Sequence, residues 1–341
     1  MDYQKLAEIA LEGRVLEREQ CHAVLGCSED RILELLQAAF RVRERYFGRR
    51  VTLHLLINAK SGLCSEDCSY CSQSAVSQAA VEKYPLLDEE KVLGGARAAR
   101  AAKAKRYCIV TSGYTLAPSE LERLCRVAGR IKREVGIELC VSPGFLTEEA
   151  ARRLKQAGVD RYNHNLNTSE RYYSRICTTH GYQDRVRALQ YGRGAGLELC
   201  CGVLFGMGES DDDIVDACLA LRELGPDSIP VNFLHPIAGT PSFDGLRTPL
   251  EGMAPFTPVR CLAILSLVRF LNPSTEVRVA GGREHNLRSL QPLALYPANS
   301  IFVSGYLTTS GQSPQEAWQM IADMGFEVEQ EAVGEAGVRL G

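Results

Sequence analysis

Hydrophobic positions follow two different periods along the chain. The first 48 residues carry apolar side chains at helical spacing, as at Leu35 and Ala39, and Ser28 is a candidate helix cap. Beyond them, short β-rich runs alternate with longer amphipathic stretches. The predicted strands are 51–57, 106–111, 137–142, 159–165, 197–205, 227–233, 276–280 and 299–304. The predicted helices between them are 88–103, 119–134, 148–156, 183–195, 211–223 and 256–271.

This alternation predicts an α/β protein with a (β/α)8 TIM-type barrel rather than separate domains. Glycines follow several predicted helices where a left-handed residue would end them, at Gly136, Gly158, Gly196 and Gly225. The Pro- and Gly-rich stretch 234–255 predicts a long loop over one barrel face. We therefore expect an N-terminal helical extension (1–48), the barrel (49–326) and a C-terminal tail (327–341).

Composition and charge narrow the function classes. The chain has 341 residues, 45% of them hydrophobic and 24% charged, as in an ordinary globular protein. A formal net charge of −3 gives no basic footprint for nucleic acid or an anionic membrane. The longest apolar stretch, Cys261 to Val268, is far shorter than the ~20 residues of a membrane span. The first twenty residues lack the apolar run of a signal peptide, so we expect a cytoplasmic protein.

Three of the thirteen cysteines, Cys64, Cys68 and Cys71, lie within eight residues. They follow the first predicted strand, at the barrel face where active sites are built. A structural zinc site normally has four protein ligands, and no fourth Cys or His lies close by in sequence. Three thiolates instead fit a 4Fe–4S cluster with one open iron. A zinc site completed from elsewhere, or three incidental cysteines, are the alternatives.

A second group of cysteines is spread over separate strands. Cys108, Cys140 and Cys200 lie in the second, third and fifth predicted strands, and Arg278 lies in the seventh. Alternate residues of a strand point into a small barrel, so these four can converge in the lumen. A buried arginine is costly unless its charge is met, and three thiolates would meet it. The adjacent Cys201 should point to the opposite face of its strand.

Two polar patterns follow the later strands. Asn163, Asn165 and Asn167 alternate along the fourth strand and its exit, and therefore share one face. Burying an unpaired amide costs about 1–3 kcal/mol, so a row of carboxamides in a barrel mouth needs partners. Solvated loop residues are the alternative interpretation. The acidic run at Glu209 and 211–213 is interpreted as surface charge that complements a helix dipole.

The cysteine spacing resembles that of the radical S-adenosylmethionine (SAM) superfamily. In that superfamily the open iron binds SAM, and the reduced cluster cleaves it to methionine and a 5′-deoxyadenosyl radical that abstracts hydrogen. The resemblance implies that Tyr70 packs by the adenine and that Gly202, Leu204 and Gly206 lie along it. Asn167 stands where many relatives carry an Asp that binds the SAM ribose. An amide still accepts from a hydroxyl, although it carries no charge.

Six passages narrow the resemblance to the biotin synthase family: 107–110, 162–168, 200–209, 228–232, 277–284 and 298–302. The resemblance extends from about residue 50 to residue 326. It implies sulfur insertion into dethiobiotin and a second, 2Fe–2S cluster as sulfur donor, held by Cys108, Cys140, Cys200 and Arg278. It also implies that Asn165 and Asn232, with Asn163 in the same row, contact the substrate, because amides match a cyclic urea in both directions.

The resemblance implies no catalytic protein side chain, because the cofactors generate the radical. His164 and His180 are accordingly interpreted as structural. The family also implies a homodimer and an electron donor such as flavodoxin or ferredoxin, with no nucleic acid or membrane partner. A larger second cluster that recruits Cys177 or Cys201 stays open. The alternative functions are a sibling radical SAM enzyme of the hydrogenase-maturation type and a non-enzymatic iron–sulfur carrier.

Overall fold

The computed structural model describes residues 1–243, 256–309 and 311–329. Its parallel strands form a closed barrel, because β1 pairs with both β2 and β9. The strands are β1 (Arg50–Lys60), β2 (Arg106–Thr111), β3 (Glu138–Ser142), β4 (Arg161–Asn163), β5 (Glu198–Cys200), β6 (Val203–Phe205), β7 (Ser228–Phe233), β8 (Glu276–Val279), β9 (Ser300–Phe302) and β10 (Glu327–Val328). The (β/α)8 expectation is confirmed, since β5 and β6 are two segments of one barrel position that both pair with β7.

Helices surround the barrel. They are α1 (Tyr3–Leu11), α2 (Arg18–Leu25), α3 (Ile32–Phe47), α4 (Glu89–Ala101), α5 (Pro118–Glu134), α6 (Glu148–Gln156), α7 (Glu170–Ile176), α8 (Tyr182–Gly194), α9 (Asp211–Leu224), α10 (Pro258–Leu271), α11 (Arg283–Leu287) and α12 (Pro314–Asp323). Helices α7, α11 and α12 were not predicted, because they are short or lie outside the main alternation. None of the described helices has the length and apolar character needed to cross a bilayer.

The helical extension packs on the outside of the barrel. Helix α3 lies between α1 and α10, with Leu35 and Ala39 fully buried, as the periodicity predicts. Ser28 does not cap α3. It precedes a short 3₁₀ turn, Glu29–Arg31, and its side chain makes no capping hydrogen bond. The helix therefore begins one turn later than its sequence signal indicates.

Two predicted segments lie partly outside the described residues. Of the predicted loop 234–255, residues 244–255 are not described, while the part before them packs against the first barrel loop through a bond from Ser242 N to Ser69 O of 3.0 Å. Of the predicted tail 327–341, residues 330–341 are not described. Its first residues form β10, which pairs parallel with the start of β1 through Arg50 and Glu327.

The strand register brings the polar residues of the lumen to neighbouring positions. Cys108 pairs with Cys140 across β2 and β3, and Asn163 pairs with Cys200 across β4 and β5. Arg278 on β8 pairs with Ser300 on β9. Alternate residues of each strand face inward. The residue two positions before each of these lumen residues therefore also faces the lumen, one level further from the carboxyl ends of the strands.

Candidate functional site: a barrel lumen with two sets of thiols

The lumen encloses a cavity of about 260 Å³ near the carboxyl ends of the strands. Most residues that the sequence predicts for the site line this cavity. They are Tyr70, Cys71, Cys108, Cys140, Asn163, Asn165, Asn167, Cys200, Leu204, Asn232 and Arg278. The other four, Cys64, Cys68, Gly202 and Gly206, are not among the lining residues, although each lies in a segment that contributes one. The predicted residues therefore converge from seven strands, β2 to β8, and from the loops that follow β1 and β4.

The cysteine loop, residues 61–75, follows β1 and begins with a tight turn. Gly62 and Leu63 both adopt positive φ angles, 64° and 54°, which reverse the chain before Cys64. Cys71 N donates to Cys68 O at 3.2 Å. The Gln73 side chain accepts from Gly62 N at 3.0 Å and closes the loop. Sequence spacing and backbone turns thus hold three thiols on one short loop beside the cavity.

The chemistry of this loop suits an iron–sulfur cluster. Cys68 is 8% exposed and Cys64 and Cys71 are partly exposed, so the thiols lie at a boundary between cavity and protein. Soft thiolates are the ligands that iron–sulfur clusters use. Burial raises the pKa of Cys71 to about 11, because the buried thiolate is poorly solvated. A bound metal would stabilise this thiolate, since cysteine binds metals in its deprotonated form.

The three lumen thiols, Cys108, Cys140 and Cys200, form a second group deeper in the barrel. All three are buried, and they pack with Ala280 and Phe302 in a cluster separate from the main core. A hydrogen bond from the Cys140 thiol lowers the pKa of Cys108, with Arg278 as a further cause. The hydrogen bond with Cys140, together with burial, raises the pKa of Cys200. Cys140 therefore influences the ionisation of both Cys108 and Cys200.

Arg278 lies against this thiol group, and its charge is met chiefly by a carboxylate. Its Nη1 lies 3.6 Å from Cys200 Sγ, but its Nη2 donates to Glu276 Oε1. Two hydroxyls add contacts, Ser228 Oγ at 2.9 Å and Ser300 Oγ at 3.0 Å. The thiols that the sequence predicts to meet this charge therefore share it with the Glu276 carboxylate. The guanidinium is held in the lumen by protein groups that leave one edge facing the sulfur.

Glu276 is the centre of a charged layer below the thiols. Its carboxylate lies 3.0 Å from Arg161 Nη1, 3.6 Å from Arg106 Nη1 and 2.9 Å from His54 Nε2. The charges of Arg278 and Arg161, with the contact from His54, hold the pKa of Glu276 well below its usual range, against the effect of its burial. Burial also lowers the pKa of His54 well below its usual value. The neutral ring donates to the carboxylate, and its Nδ1 has no partner among the described residues.

The amide row lies above the lumen thiols. Asn163 Nδ2 lies 3.2 Å from Cys200 Sγ and 3.4 Å from Asn165 Oδ1. Asn165 Oδ1 also accepts from Gly202 N at 3.1 Å. Among the described residues, no acceptor is bonded to Asn165 Nδ2, so this N–H group faces the cavity. Asn163 thus links the sulfur level to the amide level, and Asn165 presents an open donor.

Asn232 lines the cavity but is anchored by the backbone. Its Nδ2 donates to Val203 O at 2.9 Å, and its Oδ1 accepts from Gly281 N at 2.9 Å. One N–H and one lone pair remain on this amide. Asn232 is therefore more rigid than Asn165, because both of its polar atoms already hold neighbouring strands together.

Asn167, the last residue of the amide row, contacts the cysteine loop. Asn167 Nδ2 donates to the Tyr70 hydroxyl at 2.6 Å, and Asn167 has a positive φ of 72°. Its backbone pairs with the adjacent β5–β6 segment, since Asn167 N donates to Gly202 O at 3.1 Å and Leu204 N donates to Asn167 O at 2.7 Å. The amide that replaces an expected carboxylate is thus fixed directly beside the aromatic ring of the loop.

The stretch 202–206, which contains two glycines, lets its backbone approach the backbone of β7 closely. A Cβ at Gly202 would overlap the carbonyl oxygen of Pro230 on the next strand, and Gly206 has a φ of 96°. Glu209 accepts from Gly206 N at 2.6 Å and from Met207 N at 2.9 Å. Glu209 is 4% exposed, so its interpretation as surface charge is wrong: it fixes the turn after β6.

Arg185, on α8, is a cavity residue that the sequence reasoning missed. Its guanidinium is buried and lines the cavity, with Nη1 donating to Asn165 O at 2.9 Å and Nη2 lying 3.1 Å from His180 Nε2. His180 in turn bonds to Glu66 at 2.6 Å, and His164 is buried in the cavity wall. Helical periodicity alone gave no reason to single out one arginine among several on α8.

The remaining cysteines near the site are separated by the fold. Cys201 lies in the main hydrophobic core, on the face of its strand opposite to Cys200. Cys177 lies at the other end of the site, with its Sγ 3.8 Å from Cys68 Sγ. Cys68, Cys177 and His180 have ligand atoms within 4.8 Å of one another. Neither Cys177 nor Cys201 lines the cavity at the three lumen thiols.

Two family models match the chain in the regions that build this site. The Radical SAM superfamily matches residues 60–221, which contain the cysteine loop and the amide row. The Biotin and Thiamin Synthesis associated domain matches residues 230–327, which contain Asn232 and Arg278. The chain therefore carries a radical SAM region, followed by a region typical of biotin and thiamin synthesis proteins.

Relatives over the full length define the family more closely. The chain is 47% identical over 337 residues to a biotin synthase of Bacillus velezensis, covering 99% of this chain and 97% of that protein. It is 49% identical to the biotin synthase of Geobacillus kaustophilus, covering 98% of both. The chain belongs to the biotin synthase family and is an enzyme.

A solved structure supports the fold assignment. The crystal structure of methylornithine synthase superposes with a TM-score of 0.81 over 95% of this chain and 97% of that one, at 19% identity. This likeness concerns the barrel architecture alone. Neither the hydrogenase-maturation alternative nor the carrier alternative is favoured, because the full-length relatives near 47–49% identity are biotin synthases.

Proposed function

We propose that this enzyme converts dethiobiotin to biotin by SAM-dependent radical sulfur insertion, with both iron–sulfur clusters held in the barrel. The proposal rests on the order in which three groups of residues lie along the barrel axis. The cysteine loop lies at the top, the amide row in the middle and the lumen thiols below it, all along one cavity. A substrate held by the amides would lie between a radical source and a sulfur source.

The donor sets suit two different centres. Cys64, Cys68 and Cys71 would hold a 4Fe–4S cluster that binds SAM, and the lumen thiols with Arg278 would hold a 2Fe–2S cluster. When bound, these groups would supply a carbon-centred radical from SAM and the sulfur that enters the substrate. No protein base is needed for hydrogen abstraction, so the role of the protein is to position reactants and exclude water.

SAM would lie along the upper rim of the cavity. Tyr70, Asn167 and Leu204 line that rim, and Gly202 and Gly206 lie in the same segment as Leu204. The buried Arg185 guanidinium supplies positive charge beside the loop, which suits the carboxylate of SAM. Asn167 uses its Nδ2 to donate to the Tyr70 hydroxyl. This bond leaves Asn167 Oδ1 free to accept a hydrogen bond from a ribose hydroxyl of SAM.

Dethiobiotin would be oriented by its ureido ring. Asn165 offers an open N–H for the ring carbonyl, and Asn232 offers a fixed lone pair for a ring N–H. Asn163 contacts both the Asn165 amide and the Cys200 sulfur, and would set the distance between substrate and sulfur source. The substrate is thereby held at the level between the two thiol groups.

Membership of the biotin synthase family also suggests an electron donor, an oligomeric state and a location for this enzyme. We infer that a flavodoxin or ferredoxin delivers the electron that SAM cleavage requires, that the enzyme works as a homodimer, and that it acts in the cytoplasm. The net charge of −3 gives no reason to expect a nucleic acid or membrane partner.

The test is an anaerobic turnover assay. Protein reconstituted with iron and sulfide is incubated with SAM, a reductant and dethiobiotin, and biotin and 5′-deoxyadenosine are measured together. We expect both products from the wild type, and 5′-deoxyadenosine without biotin from Cys140→Ser. SAM cleavage without biotin in the wild type would instead indicate a sibling radical enzyme, and neither product would indicate a carrier.

A further inference from the structure

Cys177 is a thiol that the proposed reaction does not use, yet it touches the cysteine loop. Its Sγ lies 3.8 Å from Cys68 Sγ, although the two residues are 109 positions apart in sequence. Cys177 is 2% exposed, and Cys68 is 8% exposed. Such a close pair of thiols in a protein with thirteen cysteines calls for a chemical explanation, since a small apolar residue would fill the same space.

The backbone places the two residues opposite each other. Ser69 N donates to Ile176 O at 2.9 Å, and Thr178 N donates to the Asp67 carboxylate at 2.9 Å. The partners therefore run in opposite directions, and Cys68 faces Cys177 between these two bonds. Cys177 has an extended conformation, with φ −156° and ψ 140°. The sulfur–sulfur distance of 3.8 Å therefore has to shorten by less than 2 Å to reach the ~2.05 Å length of a disulfide bond.

We propose that Cys68 and Cys177 form a reversible disulfide when the cysteine loop carries no cluster, and that this bond is a modification site that blocks cluster assembly. The inference rests on the proposed role of Cys68 as a cluster ligand. A cluster on the loop occupies the Cys68 sulfur and prevents the bond. The disulfide removes one of the three loop thiols, and reduction restores it.

The reaction balances with a peroxide as the oxidant. One sulfur of the pair attacks a peroxide oxygen as the O–O bond breaks, which gives a sulfenic acid and one water. The second sulfur then attacks the first, and the hydroxyl leaves with the remaining thiol proton as a second water. Two thiols lose two electrons and two protons, and hydrogen peroxide is reduced to two waters. A dithiol reverses the step by thiol–disulfide exchange.

The loop offers competing partners that the experiment must separate. Cys64 and Cys71 lie on the same loop as Cys68, so an oxidised loop could link within itself. Trypsin resolves the two cases, because Lys60 and Lys83 bound a peptide with all three loop cysteines, whereas Arg175 and Arg185 bound a peptide with Cys177 alone.

The experiment uses the full chain with its iron removed by a chelator. The protein is treated with hydrogen peroxide, alkylated, and mapped by mass spectrometry without reduction. We expect a linked pair of peptides, 61–83 with 176–185, and fragmentation that assigns the bond to Cys68. Protein loaded with iron and sulfide before the treatment should give less of this pair.

The variants separate a specific bond from general oxidation. Cys177→Ser should give no linked pair and should still take up iron after peroxide treatment, whereas the oxidised wild type should do so only after dithiothreitol. Cys177→Ala serves the same purpose if serine perturbs folding. Cys218→Ser, a buried cysteine on α9, is the matched control and should behave like the wild type.

Three results would overturn the proposal. They are a bond confined to peptide 61–83, full alkylation of Cys177 after peroxide treatment, and equal loss of iron uptake in the wild type and Cys177→Ser. Because peptide mapping does not depend on biotin formation, failure of the proposed function would be recognised separately.

Discussion

Replacing Glu276 by Gln would remove the carboxylate that Arg278 contacts among the described residues, while keeping the size and shape of the side chain. The side chain is 13% exposed, and Arg278 and Arg161 beside it are 1% and 6% exposed. Glutamine can still accept one hydrogen bond, but it leaves these guanidinium groups without their buried counter-charge. The substitution therefore tests whether the carboxylate holds the arginine in the lumen.

The expected cost is large because the partners are close and poorly solvated. At the 3.0 Å separation between Glu276 and Arg161, the attraction is on the order of 5 kcal/mol at an effective dielectric of about 20. Part of this is offset by desolvation that the wild type already bears. Breaking a buried pair by removing one partner typically costs about 3–5 kcal/mol, and we expect Glu276→Gln to lose that much.

The assay is urea unfolding of chelated protein at pH 7, followed by circular dichroism. Removing the metal keeps cluster binding from adding to the apparent stability. Glu198→Gln is the matched control, because Glu198 contacts the same Arg161 at 2.7 Å but is 47% exposed. We expect this exposed pair to contribute at most about 1 kcal/mol.

A second variant keeps the reasoning open to refutation. Arg278→Met combined with Glu276→Gln should recover part of the lost stability, because both members of one pair are then absent. A loss below about 1 kcal/mol for Glu276→Gln would refute the account, as would a Glu198→Gln loss of the same size. No recovery in the double variant would show that Arg278 is not the partner that matters.

Three further predictions follow from the site and its buried groups. Replacing all three loop cysteines by Ala should abolish 5′-deoxyadenosine production but leave a 2Fe–2S spectrum from the lumen; a four-iron spectrum would contradict the assignment of the lumen thiols. Asn165→Ala should weaken dethiobiotin binding by about 1–3 kcal/mol with SAM binding little changed, measured by calorimetry; equal losses would show that the row is oriented differently. The pKa values of His54 and His164 lie well below 6.5 because both rings are buried, so the unfolded chain binds more protons below that pH and stability falls as pH decreases. Each ring contributes up to about 1.4 kcal/mol per pH unit, so unfolding measured between pH 7.5 and 5.5 should have a steep slope that His164→Asn reduces, and a flat profile would be inconsistent with neutral buried rings.

The strands were predictable because their periods are short and local. Strand β2 occurs at 106–111 as the apolar run indicates, and the others differ by a few residues at their ends. The inward faces followed from the two-residue period, which brought Cys108, Cys140 and Cys200 to one side of their strands. The split between β5 and β6 was not predicted, since it follows from the close approach of Gly202 to the next strand.

The two-residue strand period also indicates the charged layer around Glu276, although the sequence analysis did not predict it. Arg106, Glu138, Glu198 and Glu276 each lie two residues before a predicted lumen residue, so parity alone places them inward. The prior expectation that charged residues are rarely buried worked against this inference. The closed barrel makes it reasonable, because carboxylates from three strands meet there with Arg106 of β2 and Arg161 of β4.

The contact between Cys68 and Cys177 could not be predicted from sequence. It depends on how the exit of α7 pairs with the cysteine loop, through the backbone bond from Ser69 to Ile176. Neither segment has a regular period, and the residues are 109 positions apart. Local patterns therefore predicted the strands and which cysteines face the lumen, whereas contacts between irregular loops required the folded chain.

The central claim, that the lumen thiols hold the sulfur that enters dethiobiotin, has a direct test. The protein is reconstituted with sulfide enriched in a heavy sulfur isotope, freed of excess sulfide, and allowed a single turnover with SAM, reductant and dethiobiotin. The account predicts biotin that carries the heavy isotope, and Cys201→Ser should give the same labelled product. Unlabelled biotin from the labelled protein would contradict it, because the sulfur would then come from outside the barrel.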